Sequence, residues 1–240
     1  MRRVKAMLSE TGITNYSRDL VMVDLKQLYD FRFGQTGLEK RRAVWRVLCN
    51  SYFSKFIPPD AAILDLACGY GEFINQIRAG RKYAVDLNED SSRHLAADVN
   101  FVQTSALDLS KLPQGELDVV FTSNFLEHFQ DKRDLDILFK QVFTLLKPGG
   151  MFIVVGPNIR YAYKEYWDFY DHYLPLSHLS LVEGLMLAGF RPERVIDRFL
   201  PYTMQGGVPT ADILIKLYLA LPLAWRFLGK QFLVVVRKPS

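Results

Sequence analysis

From Leu38 to Phe56 the apolar side chains Leu38, Val44, Trp45, Leu48, Tyr52, Phe53 and Phe56 recur at helical spacing, and Pro58-Pro59 ends the pattern. This predicts an amphipathic helix leading into a new unit. Short apolar runs then alternate with helical stretches. Ala61–Leu66, Tyr83–Leu87, Phe101–Gln103, Leu117–Thr122 and Met151–Val155 read as strands, with helices at Gly71–Ala79, Glu89–Ala97 and Leu135–Leu146. Such alternation implies βαβ units and a mostly parallel sheet covered on both faces. Lys147-Pro148-Gly149-Gly150 reads as a helix stop and a turn into the fifth strand.

Beyond Gly156 the pattern changes. Residues 160–175 are crowded with Tyr161, Tyr163, Tyr166, Trp167, Phe169, Tyr170 and Tyr173. A helix at Ser180–Ala188 follows, then strands near Pro192–Phe199 and at Phe232–Val236, which bring the total to about seven. Between those strands lies a helix candidate, Ala211–Leu228. The expected fold is α/β, a doubly wound Rossmann-like sheet. Residues 1–58 form an N-terminal helical extension, residues 59–240 the main domain, and insertions at about 160–178 and 201–230 a lid.

The chain has 240 residues, of which 49% are hydrophobic and 23% charged, which excludes disorder, collagen and disulfide scaffolds. The net charge of +4 is unevenly spread: residues 1–60 carry 11 basic and 6 acidic side chains, and residues 211–240 carry 5 and 1. The centre is therefore mildly acidic between two basic ends, without the clustered Lys/Arg footprint of a nucleic-acid binder. Basic ends suit anionic lipid or a phosphorylated partner. Cys49 and Cys68 have neither metal nor framework spacing and point to a reducing compartment. No signal-peptide or membrane-spanning pattern is read, so the expected location is cytoplasmic, with contact at the inner face of a membrane left open.

Ile63-Leu64-Asp65-Leu66-Ala67-Cys68-Gly69-Tyr70-Gly71-Glu72-Phe73 is a buried strand, an acid near its carboxyl end and a small-residue loop opening a helix. The glycines let backbone approach a ligand, and the helix start offers free N–H groups. Asp86, at the end of the second strand, suits a ribose diol. A nicotinamide dinucleotide would want a third glycine where Ile74 stands, and Asp65 would repel its pyrophosphate. The same carboxylate attracts a cationic ligand.

These residues resemble the class I S-adenosylmethionine-dependent methyltransferases. Asp65–Gly71 is similar to the family's first motif, Asp86 to its ribose-binding acid, and Thr104–Leu109 to its adenine-edge segment, with Ser105 where an acid is frequent. Asp118–His128 is similar to the fourth-strand motif, and Leu145–Gly150 to the stop before strand five. The resemblance implies S-adenosyl-L-methionine as cofactor, held by Asp65, Ala67, Gly69, Gly71, Asp86, Leu87, Ser105, Ala106, Leu107 and Asn124.

The acceptor is less legible. If it is a hydroxyl, a base should take its proton. His172, beside Asp171, is the first candidate, and His128, after the fourth strand, the second. Sequence spacing shows no metal-ligand set, and the absence of proline in Ser123-Asn124-Phe125-Leu126 argues against nucleobase methylation. The aromatics of 160–175 either pack a lid or stack on an acceptor. Ala211–Leu228, apolar nearly all round and edged by Lys216, Arg226 and Lys230, is buried, or a dimer interface, or a lipid-facing helix. The resulting expectation is O-methylation of a small-molecule, sugar or lipid-linked acceptor. An inactive adenosyl-binding module and a nicotinamide oxidoreductase are the alternatives.

Overall fold

A computed structural model describes residues 25–202 and 211–240, with side chains from residue 37 onward. The amphipathic pattern becomes α1 (Leu25–Ser51), which starts earlier than its apolar spacing suggests and tightens into a 3-10 turn at Phe53–Lys55. Five parallel strands follow: β1 (Ala62–Leu66), β2 (Arg81–Asp86), β3 (Val99–Gln103), β4 (Leu117–Ser123) and β5 (Leu146–Pro157). Helix α2 (Lys132–Leu145) precedes β5, its start fixed by Asp131, whose carboxylate accepts from the N–H groups of Arg133 and Asp134. After β5 come a single turn, α3 (Ile159–Ala162), a 3-10 turn (Glu165–Asp168) and α4 (His178–Leu187), opened by a Ser177/Ser180 capping box. The chain closes with β6 (Arg191–Leu200), α5 (Asp212–Ala220), α6 (Pro222–Leu228) and β7 (Gln231–Arg237).

The strand order is β3-β2-β1-β4-β5-β7-β6, with β7 antiparallel to both its neighbours. The chain winds outward from β1 in one direction through β2 and β3, then crosses to β4 on the other side. The direction of winding thus reverses between β1 and β4, where open α/β sheets place their ligands. The central strands β1, β4, β5 and β7 are buried on both faces. Leu64, Leu66, Val120, Phe152 and Val234 pack with α2 and α4, while Ile63, Phe121, Ile153 and Val235 pack with Val47 and Leu48 of α1 and with Ile215 and Leu219 of α5.

Four local expectations are corrected. Gly71–Ala79 is a set of hydrogen-bonded turns rather than a helix. Asn75 N–H donates to the Gly71 carbonyl and Ile77 N–H to that of Phe73, but Gln76 N–H takes the Phe73 carbonyl as well, mixing two periods. Glu89–Ala97 shortens to a 3-10 segment, Glu89–His94, because Asn88 caps it and Leu95 is already extended. Lys147–Gly150 is an irregularity within β5, which begins at Leu146. Leu117 pairs with Leu146 and Val119 with Met151, so the intervening residues loop out of register, with Gly149 at φ 78°. The long helix expected over Ala211–Leu228 is two helices, since Pro222 has no N–H to continue the first and starts the second.

Burial of that last segment is also corrected. Ile215 and Leu219 face the core, but Ile213, Leu214, Leu217, Leu221, Leu223, Phe227 and Leu228 are exposed. The hairpin leaves the sheet at Leu200 and returns at Gln231, which face each other across β6 and β7. Gln231 in turn pairs with Pro157 at the end of β5, so the insertion emerges at the sheet's carboxyl edge. The aromatic stretch before α4 divides. Tyr166 is fully buried and Tyr161 donates to Asp197, while Trp167 and Tyr170 face outward.

Candidate active site

β1 runs into a loop whose backbone is left-handed at Ala67, Gly69 and Gly71, with φ of 58°, 53° and 71°. At Gly71 a Cβ would lie 2.5 Å from Leu95 Cδ2 and 2.8 Å from Asn75 Nδ2. Asn75 itself clips the neighbouring loop in place, donating to His94 O and accepting from Ala96 N–H, each at 2.8 Å. Among the described residues the only other non-glycine with positive φ is Asn124 (49°), just past β4. Ala67 and Asn124 thus hold sparsely populated backbone on the two sides of the winding reversal, a placement typical of ligand sites.

Three carboxylates converge on this loop. Asp86, at the end of β2, accepts from Gly69 N–H at 2.8 Å and from Asn88 N–H at 2.9 Å, which fixes the loop to the β2 exit. Asp65 is 3% exposed; burial first, then the negative charges of Glu72 and Asp86, hold its carboxyl well above the usual range. Burial also raises Asp86, against the hydrogen bonds it accepts. Glu72 is met by Arg41 of α1 at 2.7 Å, so the N-terminal helix is clamped to the glycine loop. A cationic ligand beside Asp65 and Asp86 relieves their mutual repulsion, whereas a phosphate would add to it. The residues present therefore fit a sulfonium-bearing adenosyl group.

The rest of the expected cofactor contour lies along the same edge. Leu87, 61% exposed, follows β2; Leu107, 37% exposed, follows β3. Both are apolar faces on which a purine can lie. Ser105 Oγ accepts from Leu107 N–H, and Ala106 is buried beneath them. Asn124 is exposed, its N–H bound to Val155 O at 3.0 Å.

A second cluster occupies the exits of β4 and β5. His128 lies in the 3-10 turn Leu126–His128, and the segment at 171–174 folds back over it. Tyr173 and Leu174 N–H groups both donate to Glu127 O, at 2.9 and 3.1 Å. Asp171 thereby meets His128: its carbonyl is 2.9 Å and its carboxylate 3.3 Å from His128 Nδ1. His172, 7% exposed, stacks on Phe169 and lies 5.2 Å from His128, ring centre to ring centre. His178 is elsewhere, bonded to the buried Asn158, with its pKa lowered by burial.

Glu127 was not singled out in the sequence. It is 4% exposed, and burial pushes its carboxyl up to about 7, opposed by the charge of His128. The one signal for it was an acid directly after the apolar pair Phe125-Leu126 and beside a histidine. Tyr166 is the other addition. It is fully buried against His172, its hydroxyl without a hydrogen-bond partner among the described residues and its pKa raised by burial and by Glu127. Ligand atoms of Glu127, His128 and His172 lie within 4.8 Å of one another, so the three could hold a metal ion. Sequence spacing conceals this set because the fold-back at 171–174 assembles it.

Residues 64–154 match the methyltransferase-domain family. In Mycolicibacterium smegmatis, the "probable S-adenosylmethionine-dependent methyltransferase" is 29% identical over 144 residues, 57% of this chain and 54% of that protein. The fatty-acid O-methyltransferase of the same organism is 27% identical over 165 residues, 61% and 57% of the two chains. The matches thus span little more than half the length of these curated relatives. The crystal structure of a SAM-dependent methyltransferase from Archaeoglobus fulgidus is similar in fold, with TM-score 0.61 and 21% identity over 89% of this chain and 99% of that one. The family match runs from within β1 into β5, the same stretch that carries the left-handed loop, Asp86 and the exposed Leu87 and Leu107, so this stretch is a methyltransferase domain, and its similarity to S-adenosylmethionine-dependent enzymes supports S-adenosyl-L-methionine as the cofactor.

Proposed function

We propose that this chain methylates a hydroxyl oxygen of a lipid-linked or otherwise apolar acceptor, with His128 as the base. The observation that carries this reading is the Asp171–His128 pair. A backbone carbonyl can only accept, so its 2.9 Å contact at Nδ1 puts the imidazole proton there and leaves Nε2 with a lone pair. The Asp171 carboxylate at 3.3 Å then stabilises the imidazolium formed on protonation.

S-adenosyl-L-methionine supplies a methyl group on a positively charged sulfur, which becomes a neutral thioether on transfer. Ala67, Gly69 and Gly71 would shape the loop that receives it, Asp65 would lie near its charge, Asp86 would accept from its ribose hydroxyls, and Leu87, Ser105, Ala106 and Leu107 would border its adenine. Asn124 borders the passage between cofactor and acceptor. His128 Nε2 takes the acceptor's proton as its oxygen bonds to carbon. His172, held between Phe169 and Tyr166, walls the acceptor side and is the alternative base. A fatty-acid O-methyltransferase among the relatives and the exposed aromatics of 163–173 favour an apolar acceptor.

The test is incubation with methyl-labelled cofactor and separated aqueous and lipid extracts, followed by turnover of His128→Ala and His172→Ala. Label is expected in the lipid fraction as a base-resistant ether, with His128→Ala slowing turnover by about 100-fold or more while cofactor binding is kept. Normal turnover of His128→Ala at saturating acceptor removes His128 as base. A loss confined to His172→Ala transfers the role.

A further inference from the structure

We propose that the outer face of the α5–α6 hairpin docks on an anionic lipid bilayer surface. This surface is distinct from the acceptor site, and the proposal stands whether or not the acceptor is a hydroxyl. Ile213, Leu223 and Phe227 are 71%, 69% and 73% exposed, and Leu217 lies on the same hairpin. Helix α6 buries none of its residues. Seven large apolar side chains open to water on two adjoining short helices and the residue that joins them, Leu221, exceed the scattered exposure normal for a monomer.

The charges choose the occupant. Lys216 and Arg226 are exposed and have no ionic partner among the described residues. The acid of the hairpin, Asp212, is already neutralised by Arg46 at 2.9 Å, and Lys230 by Glu165. The unpaired charge on this apolar face is therefore entirely positive. A two-fold contact with a second copy would bring like cations together at its centre, where interfaces are depleted of charge. An anionic headgroup layer instead pairs with Lys216 and Arg226 while the leucines and Phe227 enter the acyl boundary. Trp225, which packs on Tyr52 and Phe199, fixes the hairpin to the body from below.

Neither helix can cross a bilayer; among the described residues none is long and apolar enough to do so. The hairpin can only lie along the surface. It projects from the same carboxyl edge of the sheet as the loops after β1, β4 and β5, and the Lys230–Glu165 contact ties it to the aromatic segment beside the histidines.

The test uses the full chain with sedimented vesicles of phosphatidylcholine alone or mixed with phosphatidylglycerol. Calorimetric binding of S-adenosylhomocysteine serves as the control that each variant is folded. Wild-type protein is expected to sediment with the mixed vesicles and far less with phosphatidylcholine, and to be released in part at about 0.5 M salt. Leu223→Glu with Phe227→Glu should cut partitioning at least tenfold. Lys216→Glu with Arg226→Glu should cut it by about 25-fold or more at low salt, at about fivefold for each lost cation. The proposal is overturned if wild type stays in the supernatant with mixed vesicles, or if the folded apolar variants sediment as before. A wild-type dimer by light scattering that fails to bind vesicles, and becomes monomeric with Leu223→Glu and Phe227→Glu, assigns the face to a second copy instead.

Discussion

Replacing Glu127 by Gln should stabilise the protein in alkaline solution and leave it unchanged in acid. The carboxyl sits 4% exposed under the fold-back at 171–174, and burial raises it from its ordinary 4.5 to about 7. An acid whose folded pKa is raised binds its proton more tightly in the native than in the unfolded chain, so native stability falls as pH climbs through that interval. At about 1.4 kcal/mol for each pH unit between the two values, the ionised form costs about 3 kcal/mol, fully felt above pH 7 and absent below about 4.5. Glutamine has the shape of the protonated acid and never ionises. The variant should therefore match wild type near pH 4.5 and exceed it by about 3 kcal/mol near pH 8.5, a gain of about 6 °C in Tm for a chain of this size. Thermal or urea unfolding of both proteins at several pH values is the assay. A stability difference independent of pH, or one that grows toward acid, refutes the argument from burial.

Two further perturbations bear on the glycine loop. Asp86→Ala removes the acceptor for Gly69 and Asn88 N–H along with the proposed ribose contact, and should weaken S-adenosylhomocysteine binding by about 1–3 kcal/mol in calorimetry; unchanged affinity would discard the ribose assignment. Gly71→Ala places a Cβ on a residue at φ 71° and 2.5 Å from Leu95, and should destabilise by about 1–2 kcal/mol while loosening cofactor binding, measurable by unfolding and titration side by side. A fully stable, tightly binding Gly71→Ala protein would mean that the loop relaxes freely.

The central strands were legible because β1, β4, β5 and β7 each contain a short apolar run buried on both faces, and a run such as Ala62–Leu66 leaves little choice. The glycine loop and Asp86 were legible because their chemistry is local, set by residues a few positions from a strand end. The second cluster was not. Asp171 lies 43 positions from His128 in sequence yet meets it in space, since the fold-back that hydrogen-bonds Tyr173 and Leu174 to Glu127 O brings them together. Glu127 was hidden for the same reason, because nothing in its neighbours announces that a lid will bury it. The helices failed where backbone outranked periodicity: at left-handed Gly69 and Gly71, at the Asn88 cap, and at Pro222, where one apolar pattern became two rods.

The facing of Leu200 and Gln231 across β6 and β7 makes the base of the α5–α6 insertion a single splice point. Whatever lies between those residues can be lengthened, exchanged or redecorated without re-threading a strand, provided it still offers something like Ile215, Leu219 and Trp225 to cover Phe199. A sheet that departs and resumes at one rung is a socket, and chimeras made by swapping this segment alone offer a direct way to redirect a shared methyl-transfer chassis to new destinations.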